Sequence, residues 1–397
     1  MWPNADMFIF LLGIISGLLA TDEPDQPVQS INPDGEPGCT LDEHAYCQLI
    51  GAVDFQSASD HLGEAIQSYW INDDVIYIAA RRAVGPVRLC CALQSEMEHV
   101  GEDVWATAFR LSRIDEAFID IWPIPLPDQD TMNWRTTPKY RGPGAPPPVR
   151  RAEMSDARMT RIIMPAIALD HERSIYIYQP AEPQNPHQVP VVYLADGGNA
   201  YDYGPIADSL AQSCLIEPVI IVGLATENPA AGDPRSQSRL RAGDYLWEFD
   251  QPRYFAHERF LLEEVLPLVE EQYGGSTLAR ERMLSGNSNG AAWAISTALR
   301  HPDRFGVVGA ASFGWLDALQ ASDSISRHVA FEISAGLYEP NFLPDSEEAV
   351  RRITEAGGQA NLTVYASGHS PLAFEQLFAS TLTEAFPAAE DCVPASD

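Results

Sequence analysis

The run RMLSGNSNGAAWAISTALR, residues 282–300, decides the fold. An apolar segment enters it, an Ala-rich segment leaves it, and Gly286-Asn287-Ser288-Asn289-Gly290 lies between them as G-x-S-x-G. A serine on the tight turn between a strand and a helix needs small residues two positions to either side, because the two backbones approach closely there. Gly286 and Gly290 meet that need. The turn exposes the serine Oγ, and the start of the helix, with the Asn289 N–H, faces the place where negative charge develops on an attacked carbonyl.

Reading outward from this turn, Val/Ile-rich runs alternate with helical ones. RIIMPAIAL, SIYIYQP, VPVVYLADGG and EPVIIVGLAT precede it as strands, with helices expected near Ile206–Ser213 and over Phe255–Gln272. FGVVGAASF, VAFEISAG and LTVYASG follow as strands, with helices over Asn289–Leu299, near Asp345–Ala356 and from Pro371. Strands separated by helices of ten or more residues pair in parallel with helices on both faces, so residues 158–397 are expected to form an α/β domain.

A serine is a weak nucleophile without a base, and in this architecture the base comes last in the chain. His369, in LTVYASGHSPLAF, is the histidine at the end of a β-run beyond the turn; His301 is expected to cap the helix after Ser288, and His328 to sit on the surface. The acid belongs between nucleophile and base. Glu339 follows a strand in VAFEISAGLYEPNF and is the candidate to orient the imidazole, with Asp345, Asp317 and Glu332 as competitors. The oxyanion needs a further backbone donor, for which Gly197 and Gly198 in YLADGGN are the candidates beside Asn289. Candidate substrate contacts are Asn199 and Tyr201 after that loop, Trp315 at a strand end, and Arg235, Arg239 and Trp247 in DPRSQSRLRAGDYLWEF. In that last segment Arg241 and Tyr245 join the arginines and Trp247, and a salt-bridge or packing role competes with ligand binding. The sequon Asn361-Leu362-Thr363 falls on an expected strand.

The first part of the chain has a different texture. Met7 to Ala20 is an uncharged apolar run of signal-peptide length, though no Lys or Arg precedes it, so residues 1–20 are expected to be a signal peptide and the protein secreted or periplasmic. An acidic linker spans 21–38. Residues 39–126 hold short alternating runs such as DVWATAFRL, with Trp105, Thr107 and Phe109 against Ala106 and Ala108, as expected of a small immunoglobulin-like β-sandwich with one covered face. Residues 127–157 are a Pro/Gly-rich linker.

Composition removes several classes of function. The 397 residues carry 56 Asp plus Glu against 25 Lys plus Arg, a formal charge of -31, which repels nucleic acid and anionic membranes. Lys139 is the only lysine and lies in a Pro-rich loop, so neither a phosphate-binding loop nor a pyridoxal Schiff base is expected. The acidic, lysine-poor balance fits solubility at high salt, and equally a genome that favours arginine codons. The six cysteines are even in number, as in an oxidising compartment, with no zinc spacing and no pairing that the sequence decides. No metal or organic cofactor is expected, and no stable membrane insertion once the signal is removed.

Taken together, YLADGGNAYDYG, HERFLLEEVLPLVEEQY, SGNSNGAAWAISTALRHPDRFG, the glutamate after the next strand and SGH resemble the esterase branch of the α/β hydrolases that includes enterochelin, feruloyl and acetylxylan esterases. The resemblance covers about Arg158 to Phe386. It implies an α/β-hydrolase fold with Ser288 as nucleophile, His369 as base, Glu339 as acid, and the Gly197/Gly198 loop with Asn289 as oxyanion hole. DVWATAFRLSRIDEAFIDIWPIP with RGPGAPPP is similar to the N-terminal sandwich of enterochelin esterase-like proteins. Two departures bear on substrate and not on reaction type: Asn289 stands where the siderophore enzymes tend to carry a bulkier residue, and no tryptophan closely follows His369. The expected activity is serine carboxylic-ester hydrolysis on feruloyl, acetyl or siderophore esters, small or glycan-linked. The rivals are an acyltransferase on the same triad and a non-catalytic glycan- or siderophore-binding protein.

Overall fold

The computed structural model describes residues 41, 45–125, 134–153, 158–180, 188–226, 234–322 and 324–394. The expected signal segment 1–20, the linker 21–38 and part of the linker 127–157 lie outside these residues. The chain divides into two compact units. The first takes the described residues up to Pro147 together with Gly336–Pro340 and Val364–Ala373; the second takes the remainder. The division therefore does not follow the expected 158–397 boundary, since two short segments late in the sequence group with the first unit.

The first unit contains β1 (Tyr46–Gln48), β2 (Gln67–Asn72), β3 (Val75–Arg81), β4 (Val87–Cys90), β5 (Ser95–Glu96), β6 (Glu98–Gly101), β7 (Val104–Leu111), β8 (Phe118–Asp120), β9 (Trp122–Pro125) and β10 (Lys139–Arg141). Their pairings are antiparallel, in sheets ordered β1-β7-β3-β2 with β6 beside β7, β5-β4-β9, and β10-β8. One helix interrupts them, α1 (Phe55–Leu62), started by Asp54, whose side chain accepts from the Ser57 N–H, and stopped at Gly63 with φ 52°. This helix corrects the expectation of one covered face. Ala58 and Leu62 of α1 pack on Ala106 and Ala108 of β7, while Phe109 on the opposite face packs with Ile76, Ile78 and Leu89, so β7 is buried on both sides.

In the second unit one eight-stranded sheet runs β11 (Met159–Ala166), β12 (His171–Tyr178), β14 (Ile220–Leu224), β13 (Val191–Leu194), β15 (Arg282–Asn287), β16 (Val307–Ala311), β17 (Ala330–Gly336) and β18 (Gln359–Tyr365). From β14 to β17 the pairings are parallel, and β11 and β12 join antiparallel. Strands β13, β14 and β16 are buried throughout, as their unbroken apolar runs require of strands covered on both faces. The helices are α2 (Ala200–Gln212), α3 (Pro234–Tyr245), α4 (Gln251–Arg259), α5 (Leu266–Tyr273), α6 (Asn289–Arg300), α7 (Leu343–Glu355) and α8 (Pro371–Ala385). The single helix expected over 255–272 is instead α4 and α5 joined by a π turn over Phe260–Val265. Pro267 lacks an N–H, and the wider turn before it absorbs the gap in the hydrogen-bond ladder. Cys214 is disulfide-bonded to Cys392, Cys90 to Cys91, and Cys47 is also disulfide-bonded.

Candidate active site

The turn after β15 has the geometry that its glycines foreshadow. Ser288 adopts φ 56° and ψ -124°, a region that non-glycine residues rarely enter, and stands at the N-cap of α6. A Cβ on Gly286 would lie 2.2 Å from the Gly290 carbonyl oxygen, and one on Gly290 would lie 2.7 Å from the Ala195 Cβ. Strand and helix therefore meet with no room for a side chain at either glycine. The Ser288 N–H donates to the Ala311 carbonyl (2.9 Å), and its own carbonyl accepts from Ala291 (2.8 Å), so the strained residue is fixed from both sides. The helix it opens is buried from Gly290 to Leu299, which the small Ala residues permit.

The sheet register brings the glycine loop alongside. Leu194 of β13 lies opposite Ser285 of β15, so Gly197 and Ser288 lie equally far along the chain from a paired position. Gly197 to Asn199 form a 3-10 turn leading into α2, preceded by Asp196 at φ 56°. A Cβ on Gly197 would meet the Ala225 nitrogen at 2.6 Å, so the backbone there seats directly on the end of β14. Ser312, after β16, also has positive φ (52°). Strained residues thus mark the carboxyl ends of three neighbouring strands, the edge where open α/β sheets bind ligands.

In the first unit the candidate acid and base come together. Glu339 Oε1 is 2.5 Å from His369 Nδ1, and both residues are buried. Glu339 Oε2 accepts from the Gly336 N–H, which aims the carboxylate. A carboxylate only accepts, so Nδ1 carries the proton and Nε2 presents the lone pair of a base. The competing acids have other partners: Glu332 accepts from Asn361, and Asp317 from Gln320, while Asp345 lies in the first turn of α7. His301 caps α6 and contacts Glu258, and His328 is exposed.

The segment bearing His369 is tied to β8. The Phe118 N–H donates to the Ala366 carbonyl, the Ser367 hydroxyl donates to the Phe118 carbonyl, and the Ser370 hydroxyl donates to Asp120 Oδ1. A Cβ on Gly368 would overlap the Ala92 carbonyl. Burial pushes the Asp120 carboxyl up from its ordinary value, against the Ser370 hydrogen bond. Sequence reasoning passed over Asp120 because nothing local in AFIDIWPI marks a partner 250 residues away.

The remaining candidates divide. Asn199 is buried at the head of α2, and Tyr201 packs edge-on against Tyr176 (5.7 Å between ring centroids). Trp247 is half-buried and donates to the Asp317 carbonyl (3.1 Å), which places it by the segment following Trp315. Arg239 is exposed; of Arg235 only the backbone, in α3, is described. The basic cluster does not persist as a unit, because Arg241 is buried and grips Asp196 through Nε–Oδ1 and Nη2–Oδ2, both 2.7 Å. Tyr245 is buried as well.

A mostly parallel sheet with helices between its strands and a strained serine at a strand-to-helix turn is the architecture of the α/β-hydrolase fold. Residues 166–332 match the family model described as "Putative esterase". Over that segment, about two fifths of the chain, the sequence is similar to this esterase family. Among solved structures it is similar to the enterobactin esterase of Shigella flexneri crystallised with 2,3-dihydroxy-N-benzoyl-serine, at 16% identity and TM-score 0.61, covering 80% of this chain and 95% of that one. The enterochelin esterase of Shigella flexneri gives 17% identity and TM-score 0.60 over 84% and 98% of the two chains. These similarities extend the shared fold beyond the family-model segment. Among curated proteins it is similar to the uncharacterized protein YjcH of Bacillus subtilis (strain 168), 26% identical over 141 residues, 35% of this chain and 54% of that protein. The match thus spans about half of that relative's length. Among the described residues no helix is long and apolar enough to cross a membrane.

Proposed function

We propose that the protein is a serine esterase working through an acyl-enzyme, with Ser288 as nucleophile, His369 as general base and acid, and Glu339 holding the imidazole. The observation that carries this reading is the strained Ser288 at the head of a buried helix, in a chain whose buried histidine is gripped at Nδ1 by a carboxylate. Ser288 Oγ attacks the ester carbonyl carbon while its proton passes to His369 Nε2. The carbonyl oxygen becomes an oxyanion facing backbone N–H groups of the Gly197/Gly198 loop and Asn289, at the positive end of α6. Collapse breaks the bond to the alcohol oxygen, which takes the proton from His369. Water then enters by the same proton path, is deprotonated by His369, and releases the carboxylic acid and free Ser288.

For substrate we propose an ester with an aromatic or short acyl group, of feruloyl, acetyl or siderophore type. Trp247, which donates to the Asp317 carbonyl, supports an aromatic contact, and the similar enterobactin esterase of Shigella flexneri was crystallised in the presence of enterobactin and of 2,3-dihydroxy-N-benzoyl-serine. Arg235 and Arg239 are proposed as contacts for an anionic or catecholate portion, with Asn199 and Tyr201 beside the glycine loop. We also propose export: the apolar run Met7 to Ala20 and the Cys214–Cys392 disulfide both suit an oxidising compartment.

Hydrolysis of acetyl, butyryl and feruloyl esters and of ferric enterobactin, by wild type and Ser288→Ala side by side, tests the reading. Turnover is expected for wild type and its loss in the variant, with the preferred ester naming the substrate class. Equal turnover in both proteins contradicts it, and no turnover on any ester favours a binding protein.

A further inference from the structure

Asp196 is the left-handed residue immediately before the Gly197/Gly198 loop, and nothing in its own turn holds its side chain. What holds it is Arg241, on α3. The guanidinium makes two parallel bonds to the carboxylate, Nε–Oδ1 and Nη2–Oδ2, each 2.7 Å, a fork that fixes the carboxylate plane and not merely its charge. The same Nη2 reaches towards the Asn287 carbonyl at 3.5 Å, the residue just before Ser288. Tyr245, one turn further along α3, accepts a hydrogen bond from the Asp196 N–H at 2.6 Å and lies beneath the Arg241 guanidinium, 5.2 Å from its ring centroid. Both the backbone and the side chain of Asp196 are therefore captured by one helix.

That helix is itself anchored. Asp244, between these residues, forms an ion pair with Arg173 of β12 at 2.6 Å, with both side chains fully buried, and a second with Arg253 of α4 at 2.8 Å. The Arg173 guanidinium also donates to the Ala225 carbonyl, beside the point where Gly197 seats. A bracket mounted this way holds its fork in place without the freedom of a surface side chain.

We propose that Arg241 and Tyr245 are positioning residues of the oxyanion hole: from α3 they lock Asp196, and with it the glycine loop, at a fixed distance from the Ser288 turn. The inference rests on the serine-esterase reading, since it assigns a role in stabilising the tetrahedral oxyanion. Neither side chain touches substrate. Their contribution is felt where charge develops and not in ground-state binding, so a loosened bracket lowers kcat and leaves KM nearly unchanged.

The test compares wild type with Ser288→Ala, Arg241→Met, Arg241→Lys and Tyr245→Phe, using 4-nitrophenyl butyrate as substrate. An aryl trifluoromethyl ketone, which forms a tetrahedral oxyanion adduct on a reactive serine, serves as transition-state analogue. Arg241→Met is expected to lose about 10²-fold in kcat, the scale of one lost oxyanion donor, with KM within about threefold of wild type. Arg241→Lys recovers only part of this, because an ammonium makes no planar fork. Tyr245→Phe removes one acceptor without unburying a charge and is expected to lose about tenfold. In each Arg241 and Tyr245 variant the inhibition constant of the ketone rises by the factor that kcat falls. A folded Arg241→Met with kcat unchanged, or with a fall that the ketone does not share, overturns the proposal. If Arg241→Met does not fold, the gentler Tyr245→Phe decides on the same two readouts. Turnover that persists in Ser288→Ala overturns the esterase reading itself, and this inference with it.

Discussion

Glu339 and His369, 30 residues apart in sequence, meet as a buried carboxylate–imidazole pair with Oε1 2.5 Å from Nδ1. The second carboxylate oxygen is held by the Gly336 N–H, so the acid has a single orientation and imposes a single tautomer on the histidine. The proposed mechanism requires that tautomer, because the proton of Ser288 must arrive at Nε2.

Glu339→Gln keeps the shape of the acid but offers an amide that can donate as well as accept. The imidazole then loses its fixed tautomer and the stabilisation of its charged form. We expect kcat to fall by about 10³ to 10⁴-fold with little change in melting temperature, as measured by steady-state hydrolysis beside circular dichroism. A fall below tenfold removes Glu339 from the catalytic set.

The small residues around Ser288 are the most predictable sites of damage. In Gly286→Ala the new methyl lies 2.2 Å from the Gly290 carbonyl oxygen, where backbone and not a flexible side chain must yield. A loss of about 1–3 kcal/mol, or failure to accumulate as folded protein, is expected from denaturant titration. A neutral effect means that the strand and helix are not in contact at the elbow.

Asp120 gives a test with opposite signs in its two variants. Burial raises its carboxyl above the ordinary value, so the folded state favours the protonated form and loses stability as pH rises above the unfolded value of 3.8. Asp120→Asn removes that penalty and can still accept from the Ser370 hydroxyl; it is expected to melt at or above wild type at pH 7, with the difference shrinking as pH falls towards 4. Asp120→Leu leaves Ser370 without its acceptor and is expected to cost about 1–3 kcal/mol and to reduce turnover through the neighbouring His369. Thermal melts across pH decide both, and an Asp120→Asn protein less stable than wild type at pH 7 contradicts the account.

His257 is buried among Tyr245, Phe260 and Trp293, and neither ring nitrogen has a hydrogen-bond partner among the described residues. Burial pulls its pKa from 6.5 down to about 4. The unfolded chain therefore binds a proton that the folded one refuses, and stability falls as pH drops from about 6.5 to about 4, by roughly 3 kcal/mol from this group. His257→Phe is expected to flatten that part of the curve. Identical stability profiles for both proteins over this window contradict the assignment.

The parts of the site that were legible in sequence are those that local sterics write into neighbouring residues. The elbow demands glycines on both sides of Ser288, and the glycine loop must run close to β14; both demands leave marks in sequence. Chain order after the elbow points to His369 and leaves Glu339, Asp317, Asp345 and Glu332 as acids, and the hydrogen bond to His369 favours Glu339 among them. The bracket was not legible, since the Arg241–Asp196 pair joins residues 45 apart and an arginine in a basic run reads as readily for a ligand as for an ion pair. Helix α1 carries its own signals, an Asp54 cap and Gly63 after Leu62, but the alternation in DVWATAFRL by itself points to a sheet with one covered face. The late segments 336–340 and 364–373 grouped with the first unit through long-range backbone bonds such as Phe118 to Ala366, which side-chain patterns do not record.

The central claim, covalent catalysis at Ser288, is tested most directly by trapping the acyl-enzyme. A slowly turned-over aryl ester is mixed with the protein, quenched in acid, and the digest examined by mass spectrometry. The account predicts an acyl adduct on the peptide containing Ser288 in wild type, its accumulation in a variant slowed at His369, and no adduct in Ser288→Ala. Ester turnover that proceeds without a Ser288 adduct, or an adduct on another residue, contradicts it.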